Sequence, residues 1–134
     1  MTAVAHRNGA SGADHELLAH LRDVARRARD LAEQAFPNNP TFAALAYWAG
    51  LLHDLGKYRD EFQAYLAGLR PKGPETQHAI FGAAWAWNHL PKWVALAVMG
   101  HHAGLRDFEE AMKQVAAPEL MPVPSSETLL QTLV

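Results

Sequence analysis

The sequence predicts an all-α domain. Three observations carry that expectation. Residues 14–36 place Leu17, Leu21, Val24, Ala28, Leu31 and Ala35 at alternating steps of four and three, which gives one apolar stripe on a helix. The stretch FAALAYWAGLLHDL that follows Thr41 is apolar almost all round, as a buried central helix is. No segment shows the period-two alternation of a half-buried strand, and no internal repeat is visible.

The elements follow in order. Residues 1–13 read as a disordered lead-in. In the first helix Arg22, Arg26 and Arg29 fall away from the apolar stripe and form a solvated face. Pro37-Asn38-Asn39-Pro40 ends this helix, because proline disfavours helical geometry in the residue before it. Thr41 is the expected N-cap of the second helix, and Gly56 breaks or caps its end. A third helical pattern covers 58–69 through Phe62, Tyr65, Leu66 and Leu69, followed by a basic Pro/Gly loop at 70–74. Further helices are expected over 76–90, from Pro91 to an end near Gly100 to Gly104, and over 108–117. Residues 118–134 read as a linker and the start of another helix with Leu129, Leu130, Leu133 and Val134 on its apolar face. A helix that stops while still presenting such a face predicts C-terminal truncation, with a short docking helix as the alternative.

With 134 residues the chain is one domain or a piece of one. At 49% hydrophobic and 19% charged it has the apolar material for a packed core, which excludes disorder as its main state. The absence of cysteine excludes disulfides, iron–sulfur clusters and thiolate zinc sites, and suits a reducing cytoplasm. The formal charge of −2 provides no domain-wide positive field for nucleic acid. A polyanion would therefore need metal ions or a partner to attract it. No segment reaches the roughly 18 apolar residues of a membrane span, and the opening MTAVAHRNGASGAD lacks the apolar run of a signal peptide.

Eight histidines then ask for explanation. His53-Asp54 ends the most apolar helix, where an unpaired aspartate would cost several kcal/mol. Metal coordination would offset that cost; so would a simple histidine–aspartate hydrogen bond in the core. His20 borders the buried stripe of the first helix, as a satisfied core residue or a ligand. His101-His102 ends an apolar helix, and metal binding favours both rings being neutral. His78 opens a helix just after the loop. His6, His15 and His89 read as surface residues with no role. Together, imidazoles from several helix ends and one carboxylate suit Mn, Fe, Co, Ni or Zn more than Mg alone. An aspartate can bridge two ions about 3.5–4 Å apart, a spacing that polarises a phosphate and activates water together. Lys57, one turn after His53, would face the same pocket or remain a solvated helix-end lysine.

His20 in LLAHLRDVA, His53-Asp54 in LLHDLGKYRDEFQAYL, His78 in TQHAIFGAAW and His101-His102 in MGHHAGL together resemble the HD phosphohydrolase superfamily. More narrowly, they are similar to the HD nuclease domain of the CRISPR-associated helicase-nuclease of type I systems. The resemblance spans residues 14–105 and makes 14–117 the nuclease domain. It implies a helical bundle with two divalent transition-metal ions that cuts single-stranded DNA as an endonuclease in antiviral defence. His20, His53 and Asp54 would hold the first ion. Asp54 would bridge to a second, held by His78, His101 and His102. Lys57 matches the family's lysine beside the HD pair, and Asp54 and Lys57 would be the catalytic side chains. The implied partners are single-stranded DNA, a fused or separate helicase module and an RNA-guided targeting complex, with no membrane. The family completes its first metal position with an aspartate from a later helix; the sole aspartate after His102 is Asp107, which comes too soon to match it. Two other readings compete: an HD nucleotide phosphohydrolase with one ion and a small substrate, and a non-catalytic all-α docking module.

Overall fold

The computed structural model describes residues 2–7, 14–102, 104 and 107–115. Among them the architecture is helical, as the sequence predicts. The elements are β1 (Val4–His6), β2 (His15–Glu16), α1 (Leu17–Ala35), α2 (Pro40–Leu52), a 3₁₀ turn at Leu55–Tyr58, α3 (Asp60–Leu66), a second 3₁₀ turn at Pro74–Thr76, α4 (Ala79–His89), α5 (Lys92–Gly100) and α6 (Phe108–Val115). The expected linker, further helix and truncation at 118–134 lie outside the described residues. No helix among the described residues is long and apolar enough to cross a membrane.

The bundle is two antiparallel hairpins packed together. In the first, Phe36 meets Phe42 and Arg29 lies over Tyr47, while the site of a Cβ on Gly50 lies against the backbone of Ala25. In the second, α4 and α5 turn at Pro91 and bring His78 and His102 together at the opposite end. The central helix α2 runs antiparallel to α4, with Trp48 stacked on Trp85 and Leu52 against Gly82. It runs parallel to α5, from the Phe42–Trp93 stack to the His53–His101 contact. One core joins them through Leu17, Leu21, Leu51, Leu52, Val94 and Val98.

Several sequence expectations shift. The lead-in is ordered at β1, which pairs with β2 in a small antiparallel sheet; a two- and three-residue pairing is too short to show alternation. It also delays the start of α1, whose first amide, Leu17 N, donates to Ala3 O at 2.9 Å. The buried face of α1 is Leu17, Leu21, Ala25 and Ala32, whereas Leu31 is 56% exposed. Alanine faces α2 because the two backbones approach closely at Gly50, so side-chain size is a poor guide to burial here. Asn39, not Thr41, caps α2: its side-chain oxygen accepts from Phe42 N at 3.0 Å, and Pro40 at the first helical position has no amide to satisfy.

Two close approaches set the spacing. A Cβ on Gly50 would lie 2.5 Å from Ala25 Cα, and one on Gly82 would lie 1.9 Å from the Leu52 carbonyl oxygen. Backbone cannot yield as a flexible side chain can. Gly82→Ala is therefore expected to lower stability by about 1–3 kcal/mol or more through overpacking. Chemical denaturation of the metal-free chain measures it; an unchanged midpoint would contradict this packing.

Candidate metal centre

The hairpin directions bring four helix ends to one place. His20 sits in the first turns of α1, His53-Asp54 follows α2, His78 precedes α4, and His101-His102 follows α5. Behind them Gly56 lets the 3₁₀ turn close on α4, since a Cβ there would lie 2.2 Å from His78 O. Phe62, 6% exposed, meets the His78 ring edge-on at 5.1 Å and lies under the Lys57 ammonium at 5.5 Å.

Asp54 is the hub. It is 3% exposed, and its two oxygens face different partners. Oδ2 lies 3.2 Å from His20 Nε2, 3.2 Å from His53 Nε2 and 2.8 Å from Lys57 Nζ. Oδ1 lies 2.9 Å from His78 Nε2 and 3.3 Å from His101 Nε2. His78 Nε2 also meets His102 Nε2 at 2.9 Å. Two groups of donor atoms result, each within 4.8 Å: His20, His53 and Asp54, and Asp54, His78, His101 and His102.

The proton positions favour a cation at these points. His53 Nδ1 lies 2.6 Å from Gly50 O, and His101 Nδ1 lies 2.6 Å from Val98 O. A carbonyl oxygen can only accept, so each Nδ1 carries the hydrogen and the Nε2 of the neutral ring is a lone pair. Those lone pairs point at a carboxylate, acceptor against acceptor. His78 and His101 come close to Oδ1, yet neither gives it a directed hydrogen bond, and this buried oxygen is left with no hydrogen-bond partner. Two ligands each about 2.0–2.1 Å from one ion stand about 2.9–3.4 Å apart at right to tetrahedral angles. The nitrogen–oxygen separations of 2.9–3.3 Å fall in that range. The donor set fits a divalent ion in each group.

Without an ion, protons and Lys57 carry the balancing charge. Burial would raise the Asp54 pKa, but His101, His53 and His78 outweigh it and hold the carboxyl far below the usual carboxylate range. Burial likewise pulls His101 down, but Asp54 and the Val98 carbonyl prevail and raise it. His20 is lowered, first by burial and then by His53. His102 is lowered by burial and by His101 and His78.

Every residue expected at the site, His20, His53, Asp54, Lys57, His78, His101 and His102, is brought together here. Lys57 is not a solvated helix-end lysine: its side chain is 13% exposed, Nζ forms an ion pair with Asp54 Oδ2 at 2.8 Å, and it donates to Ala5 O at 3.2 Å. His89 stands apart, stacked on Trp85 at 4.3 Å. Asp107 is occupied as the cap of α6, where Oδ1 accepts from Glu109 N and Glu110 N. Sequence reasoning passes over His6 and His15, whose rings approach His20. It also passes over Gln63, whose amide ties Val4 to Lys57 O. Long-range pairing of a three-residue strand leaves no periodic signal for either.

The proton balance has a measurable consequence. The raised folded-state pKa of His101 means that its contribution to metal-free stability is complete below the unfolded value of about 6.5 and fades as pH climbs through the folded value. Metal coordination needs the neutral ring. Loading between those two pH values is thus expected to release a proton, with affinity rising as pH rises. Calorimetric titration with Zn²⁺ in two buffers of different ionisation enthalpy counts that proton; buffer-independent heats would contradict it.

The comparisons with known proteins agree with this geometry. A model of the HD domain matches residues 17–127. No curated protein and no solved structure matches the chain. The family match takes in both donor groups and well over half of the sequence, so the chain belongs to the HD-domain family of metal-dependent phosphohydrolases.

Proposed function

We propose that the chain is a metal-dependent phosphodiesterase that cuts single-stranded DNA in CRISPR interference, in the cytoplasm, beside a helicase module and an RNA-guided targeting complex. One observation carries the phosphodiesterase part: Asp54 divides its two oxygens between two separate histidine groups, as a carboxylate bridging two ions would. The DNA substrate and the partners rest on the resemblance of HDLGK, QH and HHAGL, in that order, to the CRISPR-associated nuclease domain. The formal charge of −2 supports delivery of DNA by other parts.

Divalent ions held by these groups would supply Lewis acidity toward a phosphate oxygen and a water of lowered pKa. The chain's own residues do the positioning. His53 and His101 are locked by their Nδ1 bonds to Gly50 and Val98, which fixes both ring orientation and tautomer. Lys57 pairs with Asp54 and donates to Ala5 O, which holds its ammonium where it can meet a phosphate oxygen. Phe62 supports Lys57 and His78 from beneath and excludes water from that side.

A specific observation favours a second reading, an HD nucleotide phosphohydrolase that works with one ion. The Lys57 ammonium already sits 2.8 Å from Oδ2, and that side offers only three donors among the described residues, against four on the Oδ1 side. Release of phosphate from deoxynucleotides without nicking of DNA would select it.

Incubation with single-stranded DNA and Mn²⁺, Co²⁺ or Ni²⁺ is expected to produce cleavage that Asp54→Ala abolishes, together with loss of bound metal. Cleavage that survives this substitution would sink the assignment. Lys57→Ala is expected to retain metal while kcat drops by about 10²–10³-fold, the range for loss of one preorganised charged donor. Full activity in that variant would remove Lys57 from the mechanism.

A further inference from the structure

The amino-terminal strand is fastened to the catalytic side of the molecule more firmly than three residues of sheet require. Leu17 N donates to Ala3 O at 2.9 Å. The Gln63 side-chain oxygen accepts from Val4 N at 3.0 Å, and its nitrogen donates to Val4 O at 2.9 Å and to Lys57 O at 2.7 Å. Lys57 Nζ, itself on Asp54, donates to Ala5 O, and Ala5 is buried at 1% exposure. β1 is thereby held in register with the HD segment rather than lying loosely over the core.

This fixation determines where His6 and His15 lie. They are partners across the small sheet, and their rings meet edge-on with centroids 5.1 Å apart. Each also meets His20 edge-on, at 6.0 Å and 5.4 Å, and His20 lies 5.2 Å from His53. A continuous run of imidazoles thus leads outward from Asp54 to the exposed His6. Among the described residues neither His6 nor His15 makes a hydrogen bond through its ring, and neither belongs to the groups whose donor atoms converge. Their N–H groups are available at the rim of the metal centre.

We propose that His6 and His15 form a subsite for the phosphate adjacent to the scissile one in a single-stranded nucleic acid; this rests on the phosphodiesterase reading above. A neutral imidazole carries one N–H donor, so the subsite works without protonation. Two fixed donors beside the reacting centre align the strand by its backbone, and phosphate contacts of this kind position a nucleic acid without reading its bases. In a chain without a broad positive field, such local contacts matter more.

The full chain loaded with Mn²⁺ is compared on a single-stranded oligodeoxynucleotide and on bis(p-nitrophenyl) phosphate, which has no neighbouring phosphate. The His6→Ala/His15→Ala variant is expected to lose about tenfold more in kcat/KM on the oligonucleotide than on the small diester, with the difference in KM. His6→Ala alone, at an exposed position, gives the same comparison with smaller effect and little risk to folding. His15→Lys on the His6→Ala background is expected to restore oligonucleotide KM, because a lysine also donates to phosphate, whereas a structural role would not be rescued. Equal losses on both substrates, or a fall in bound metal per chain, would overturn the subsite while leaving the phosphodiesterase standing. An unsubstituted chain that leaves the oligonucleotide intact would overturn that wider reading and the subsite with it.

Discussion

A buried carboxylate surrounded by imidazoles is the constraint on which the rest of the structure depends. Asp54 is shielded from water and faces His20, His53, Lys57, His78 and His101, drawn from elements far apart in sequence. Taking such a group out of water without partners costs several kcal/mol. The fold meets that cost by directing four helix ends at one point. Helix directions, turn positions and the small residues between helices all serve that convergence.

Imidazole is a short side chain, so ligands from four helix ends meet only if the helices are close. Gly50 against Ala25 and Gly82 against Leu52 supply that closeness, and Gly56 supplies it behind His78. The site's precision is therefore set partly by residues without chemistry of their own. Carbonyls of the same helices then orient the rings. Gly50 O and Val98 O hold one nitrogen of His53 and His101 so that the other faces Asp54.

Much of this was legible in the sequence. The all-α class followed from stripes and apolar runs, because helical periodicity is a local property that reports directly on burial. The donor residues are legible because eight histidines are many for a chain of 134 residues, and HDLGK, QH and HHAGL occur in a recognisable order. The α1 face is less legible: periodicity points to Leu31 as core rather than Ala32, yet the close approach of α2 selects the alanine. The strand at Val4–His6 was missed because its stability comes from Gln63, Lys57 and Leu17, partners that no local window contains. His6 and His15 therefore looked like solvated surface when each was taken by itself.

The divided carboxylate has a consequence for the integrity of the molecule. His20 and His53 belong to the α1–α2 hairpin; His78, His101 and His102 belong to the α4–α5 hairpin. A cation seated on Oδ1 of Asp54 would act as a rivet between these halves, and one on Oδ2 would pin α1 to the end of α2; each joins segments that separate on unfolding. A ligand that binds only the folded chain stabilises it by mass action. The supply of metal in the cell would then govern how long the folded molecule persists, as well as how fast it works.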